Sequence, residues 1–257
     1  MIDFDGKVLS CIGPIVEATI TLLHQVTDKF LPSAIKFVYN WNMREITNVM
    51  QGICRAHSHD YSEPLKMVRL WMHECNRVFE DRLVSEMDLT RFNDLLVECS
   101  KRFFSEIKVG GGANEVVEIL QDELHAEPII FTSFANSTTG EPVYLPVEDN
   151  NTLSNTLQQK LQEYNETNTV MDLVLFQAAL QHVCRITRII DNPCGNAMLI
   201  GVGGSGKQSL AKLATFICQY DIRTLNVSSR FTVEDLKESL KEMYIRTGVK
   251  GNPLVFL

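Results

Sequence analysis

The stretch GVGGSGKQS, Gly201 to Ser209, constrains the fold more than any other part of the chain. Glycines at 201, 203, 204 and 206 let the backbone turn where Cβ atoms would clash, and they aim several N–H groups inward. A following helix would add its positive N-terminal end, and Lys207 a compact cation for β- and γ-phosphates. The pattern approaches G-x-x-x-x-G-K-[ST], which works only as the turn between a strand and a helix. Both flanks are legible. NAMLIG (196–201) has the composition of a short strand, and KQSLAKLATFICQ places Leu210, Leu213, Ala214 and Ile217 on one helical face. The expected cradle is therefore Gly201, Val202, Gly203, Gly204, Ser205, Gly206, Lys207, Gln208 and Ser209.

One letter departs from the pattern. Ser or Thr normally follows the lysine, and its hydroxyl binds Mg²⁺; here the residue is Gln208. A carboxamide oxygen is longer and differently placed. Ser209 cannot substitute, because one helical step turns it about 100° away. Phosphate binding should survive, with ATP or ADP as ligand, while Mg²⁺ binding is weakened. No residue is assigned as a metal ligand or as catalytic. PLVFL (253–257) suits the strand that, in nucleotide hydrolases, ends in paired acids. Those acids would fall beyond Leu257, so the expectation is nucleotide binding without efficient hydrolysis by this chain alone.

The rest divides by pattern. Up to about residue 107 the chain reads as a helical bundle. Ile15, Ala18, Leu22 and Val26 recur at helical spacing after Pro14, and Met43, Ile46, Val49, Met50 and Ile53 form a second face. Leu65, Val68, Met72, Cys75 and Phe79 follow Ser62, a candidate cap, and Pro64. Leu89, Phe92, Leu96, Cys99 and Phe103 complete the set. Three glycines, Gly110 to Gly112, mark a break inside a connecting segment, 108–125. From 126 to 257 strands and helices alternate. PIIFTSFA, NAMLIG, RTLNV and PLVFL read as strands, and MDLVLFQAALQHVCRITRII as a buried helix. Thr232 with Asp235 has the spacing of a capping box. The fold class is α/β: an N-terminal helical bundle, then a P-loop parallel-sheet domain that stops short.

Composition excludes some functions. The formal charge of −8 argues against a general nucleic-acid binder. No unbroken apolar run approaches the roughly 20 residues that span a bilayer, and acids stand where a secretion signal has Lys or Arg. Seven dispersed cysteines without a C-x-x-C pair suit reduced thiols. Cys54, His57 and His59 in CRAHSH lack a second half with ligand spacing and read as structural or solvent-exposed. Arg185 and Arg188, one turn apart, could face a phosphate or a neighbouring module, but a solvated face is the favoured reading.

The combination resembles one family. GNAMLIGVGGSGKQSLAKLATFIC is similar to the phosphate loop of the fourth AAA+ module of axonemal dynein heavy chains, where Gln after the lysine is familiar. FLPSAIKFVYNWNMREITNVMQGI and VRLWMHECNRVFEDRL resemble the end of the third module. YLPVEDNNTLSNTLQQKLQEYNE resembles the opening of the fourth. The resemblance implies a helical AAA+ small subdomain followed by most of a large α/β subdomain, within a motor that moves along microtubules. Its partners would be the other AAA+ modules of the same chain and dynein complex subunits, in the cytoskeleton of a cilium or flagellum. Microtubules would be reached only through parts this chain lacks, and no nucleic acid or membrane is implied. By the same resemblance Arg44 would reach the nucleotide of its own, third module. Val174, Leu175 and Phe176 would pack against adenine. An alternative is a nucleotide-free scaffold that serves ring assembly.

Overall fold

The computed structural model describes residues 4–108, 116–135, 142–193, 195–225 and 227–257. The expected glycine break at 110–112 lies outside these residues. The chain forms two compact units. The first is Met1–Phe131 with Tyr144–Val147, and the second is Thr132–Val143 with Glu148–Leu257.

In the first unit a short helix α1 (Gly6–Leu9) leads into α2 (Ile12–Lys29), α3 (Met43–Ile53), α4 (Pro64–Val78) and α5 (Glu86–Phe104). Their apolar stripes meet in one core built on Leu22, Val49, Trp71, Phe79 and Phe92. α4 is its centre, burying Val68, Leu70, Trp71, Met72 and Cys75 on several faces. Buried polar groups are matched, as burial requires. Trp71 donates its indole N–H to Thr19 Oγ1 (2.9 Å), and Trp41 donates to the Phe30 carbonyl (2.9 Å). Two ion pairs tie the 30–42 loop and α3 to the segments after α4. Lys36 and the Tyr39 hydroxyl both bond Asp88, and Arg82 grips buried Glu45 with two N–H groups at 3.0 and 2.7 Å.

Some local expectations fail for clear reasons. Glu63, not Ser62, occupies the cap of α4 and makes no side-chain cap bond, because Pro64 takes the first helical position. Met43 is exposed, since it opens α3 one turn before the core begins. By length and composition Gly6–Lys29 could cross a bilayer, which unbroken-run counting missed. Its inner stripe, Ile15, Ala18, Leu22 and Val26, is buried in the core, as in a soluble-type core helix.

After α5 come β1 (Glu106–Lys108), antiparallel to β2 (Val116–Glu118), and α6 (Gln121–Leu124). Arg69 holds the following turn by donating to the carbonyls of Glu123, Ala126 and Pro128 at 2.6, 2.8 and 3.0 Å. The expected strand PIIFTSFA shrinks to β3 (Phe131–Thr132), which pairs with β4 (Leu145–Pro146). The 144–147 segment is sewn into the first unit. Tyr144 Oη donates to Glu74 (2.8 Å), Tyr61 Oη donates to the Tyr144 carbonyl (2.5 Å), and Val147 N–H donates to Ile130 O (2.8 Å). Arg55 lies 4.0 Å over the Tyr144 ring.

In the second unit α7 (Asn150–Thr167), α8 (Gln177–Asp191) and α9 (Lys207–Ile217) pack together. Leu153 and Leu157 of α7, Leu180, Val183 and Ile186 of α8, and Leu213 and Ala214 of α9 are buried. β5 (Asp221–Arg223) runs parallel to β6 (Leu254–Phe256), with Ile222 opposite Val255. Between them lies α10 (Val233–Tyr244), which opens on the expected Thr232–Asp235 capping box and buries no residue. The parallel sheet has only these two strands among the described residues. NAMLIG is not a strand: Met198 and Ile200 are exposed and pair with neither β5 nor β6. An extended segment becomes a strand only where a neighbour supplies N–H and C=O partners. β5 falls on Asp221–Arg223 rather than on RTLNV, because those residues lie opposite β6.

Candidate phosphate-binding loop

The loop forms between residues 196–200, which take no regular secondary structure, and α9. Gly204 and Gly206 take positive φ (78° and 77°), a region that side chains disfavour, so both positions need glycine. Gly206 is the residue preceding α9, and its carbonyl accepts the first helical bond, from Leu210 N–H at 2.9 Å. The N-terminus of an eleven-residue helix thus stands behind the loop. The Lys207 ammonium folds back into the turn. It donates to the Gly201 carbonyl (2.8 Å), the Val202 carbonyl (2.6 Å) and Ser205 Oγ (3.1 Å). Gly203 and Gly204 face open space. The cradle therefore fits a phosphate: glycine backbone on an open side, and a cation already centred among loop atoms.

Gln208 is exposed and Ser209 half-buried, one helical step apart. A cavity of about 870 Å³ opens beside the loop, with Ile186, Asn196, Lys207, Gln208, Leu254 and Phe256 among its walls. Its size is in the range of small-molecule sites.

The segment before α8 differs from the expected helix. α8 begins only at Gln177 after an extended Phe176, and 170–176 take no helical or strand structure. Side chains alternate: Met171, Leu173 and Leu175 are half-buried, while Val174 and Phe176 are exposed. Of the three residues expected against adenine, only Leu175 turns inward. Leu173, which the sequence reading did not single out, approaches the loop instead: its Cδ1 lies 3.9 Å from where a Cβ on Gly206 would stand.

Arg44 stands in the first turn of α3, whose cap Asn42 accepts from the Arg44 N–H (2.9 Å). Its side chain is exposed. It belongs to the first unit, whereas the loop belongs to the second. The solvated reading of Arg188 is overturned. Only 9% of Arg188 is exposed, and Arg185 is half-buried with a buried Nε, because α8 is covered on both flanks by α7 and α9. Cys54, His57 and His59 are exposed, and no group of three or more His, Cys, Asp or Glu is placed to hold a metal among the described residues.

A glycine loop with an inward lysine and a helix behind it, beside a parallel strand pair, places the second unit among P-loop modules, although the segment before the loop joins no sheet among the described residues. Comparison with known proteins narrows this. A family described as "P-loop containing dynein motor region D4" matches residues 171–257, and "AAA+ lid domain" matches residues 15–110. The dynein beta chain of the flagellar outer arm of Chlamydomonas reinhardtii is 47% identical over 99% of this chain. A ciliary dynein beta chain of Heliocidaris crassispina is 40% identical over 95%, and dynein axonemal heavy chain 17 of Homo sapiens 41% over 95%. The chain spans 5% of the length of each of these relatives. It belongs to the dynein heavy chain family, as a segment that joins an AAA+ lid to a P-loop motor region.

Proposed function

We propose that this segment is a nucleotide-binding regulatory part of an axonemal dynein motor, and that it binds ATP or ADP without hydrolysing it efficiently. The observation that carries the reading is the Lys207 ammonium, held inside the loop by two carbonyls and a hydroxyl. An incoming phosphate would displace those neutral acceptors and add the attraction between opposite charges, which makes the stronger bond. Backbone N–H groups of Gly203 to Lys207 and the end of α9 would hold the remaining phosphate oxygens.

Mg²⁺, if bound, would supply positive charge beside the phosphates. This chain offers it Gln208 where the family of loops usually offers a hydroxyl, so the residues fit the phosphates better than the metal. That asymmetry suits a module that senses a nucleotide more than one that turns it over. The lid unit would present Arg44 to a nucleotide of the preceding module. The neighbours of the segment would be the other AAA+ modules of its heavy chain, with dynein subunits and the microtubule engaged through the rest of the motor in a cilium or flagellum.

Titration of the 257-residue protein with a fluorescent ATP analogue tests the reading. Saturable binding, weakened at least about tenfold by Lys207→Ala, is the expected result. No binding, or binding indifferent to Lys207, would favour a nucleotide-free scaffold for ring assembly instead.

A further inference from the structure

We infer that the outer face of α10 is a self-association surface: two copies of this chain pair through it, helix against helix and antiparallel. The inference is independent of the nucleotide-binding reading above.

α10 buries none of its residues, yet it carries large apolar ones. Val233 is 62% exposed and Tyr244 71%, and Val249, in the π-helical turn that follows (Ile245–Val249), is 79% exposed. Leu240, Tyr244, Ile245 and Val249 form a shallow groove of about 460 Å³, whose remaining walls are Lys237 and Lys241. The groove is fixed from behind. Arg246 donates to Asp221 of β5 at 2.8 Å, and the Lys250 and Asn252 N–H groups donate to the Ile245 and Arg246 carbonyls, both at 3.3 Å. Apolar side chains grouped on one held element and rimmed by charge are the mark of an interaction surface.

The charges say what fits. At about 100° per residue, α10 lays out three adjacent stripes. Val233, Leu240 and Tyr244 form one, Lys237 and Lys241 the next, and Glu234, Glu238 and Glu242 the third. All five charged residues are exposed. Lys241 reaches Glu238 only at 3.7 Å, with side chains 65% and 68% exposed, and such a pair is worth little. Lys237, Glu234 and Glu242 make no ion pair among the described residues. The helix is thus its own electrostatic complement. In an antiparallel pair related by a two-fold axis, like flanks meet and residue order reverses. An axis between Lys237 and Glu238 sets Lys241 opposite Glu234 of the second copy, and Lys237 opposite its Glu238. Val233 then falls two residues, about 3 Å along the axis, from Leu240 and from Tyr244 of the second copy. A parallel pair would press the glutamate stripe onto the apolar one. One helix on one helix covers less than the roughly 1,200–2,000 Å² of a stable interface, so the association is weak and reversible.

Sedimentation equilibrium of the 257-residue protein tests this. A monomer–dimer equilibrium is expected, with a Kd of about 10–200 μM. It should weaken at least about fivefold between about 50 mM and 500 mM salt. Lys237→Glu combined with Lys241→Glu should weaken it at least about tenfold, and so should Glu234→Lys combined with Glu238→Lys. An equimolar mixture of these two double variants should dimerise again, because each then carries the other's complement. Damage to the helix cannot mimic that rescue. Tyr244→Ser, which leaves both charge stripes intact, should also weaken the dimer, and it decides the matter if a double variant fails to fold. Protein that stays monomeric at every concentration overturns the inference. So does a dimer indifferent to all the α10 variants, or a mixture of folded double variants that remains monomeric.

Discussion

Gly52→Ala is a one-methyl change whose cost can be worked from the structure. A Cβ built on Gly52 falls 1.7 Å from Glu74 Oε2, 2.1 Å from its Cδ and 2.8 Å from its Cγ. The whole carboxyl end of Glu74 lies across this helix position, not merely its tip. Glu74 is fully buried and accepts the Tyr144 hydroxyl, and Arg55, His73 and Phe131 surround that ring. Glu74 can retreat only by giving up the bond. An unmade buried hydrogen bond costs about 1–3 kcal/mol, and overpacking adds about 1–3 kcal/mol. Alanine returns about 1 kcal/mol through helix propensity. The net is a loss of about 3 kcal/mol, or a fall in Tm of about 6–12 °C for a protein of this size. Denaturant and thermal melts of the wild type, Gly52→Ala, Glu74→Ala and the double variant form the test. With Glu74 truncated, the added methyl should become neutral or stabilising by up to about 1 kcal/mol. A cost below about 1 kcal/mol in the wild type, or the same cost in both backgrounds, would refute the argument.

Further expectations concern the loop and the ion pairs. Gln208→Thr should make nucleotide affinity more dependent on Mg²⁺ in titrations with and without a chelator; unchanged dependence counts against the hydroxyl account. Gly206→Val should abolish nucleotide binding, because its positive φ excludes a β-branched side chain and Leu173 already borders the site. Arg82→Leu should cost about 2 kcal/mol in denaturant melts, since it leaves buried Glu45 without its partner, and Glu45→Leu on top should recover much of that. Burial works to raise the Asp88 pKa, but bonds from Lys36, Tyr39 and Ser85 outweigh it and hold the carboxyl below its ordinary value. Asp88 therefore adds stability above its unfolded-state pKa, and that contribution is lost as pH falls from there through the lower folded-state value. In melts over about pH 5 to 2, Asp88→Asn should show a shallower acid loss than the wild type, from a lower starting stability.

Legibility followed the physics of each segment. The helices of the first unit were readable because each buries one stripe at a 3.6-residue period, as Ile15, Ala18, Leu22 and Val26 do. The Thr232–Asp235 cap and the glycine loop were readable because their chemistry is local. Strands were not, because a strand exists only through its partner. PLVFL found one in β5, whereas NAMLIG found none among the described residues. Leu173 and Arg188 were missed for a related reason. Apolar content in MDLVLFQAAL suits either period, and the bonds of the Asn165 side chain to the Met171 N–H and carbonyl, made across a loop, are not written in it. Arg188 is hidden by the packing of other helices, which its own neighbours in sequence do not reveal.

The return of Tyr144–Val147 to the first unit has a practical consequence. The chain passes from one unit to the other three times, after Phe131, Val143 and Val147. No single cut can separate them cleanly. A first unit expressed to residue 131 would lack Tyr144, leaving Glu74 and Tyr61 without the partner they share. A second unit begun at 132 would carry a tyrosine and a short strand with nothing to receive them. The sensible boundary for expressing the first unit alone therefore falls after Val147, well past the glycines where the composition changes.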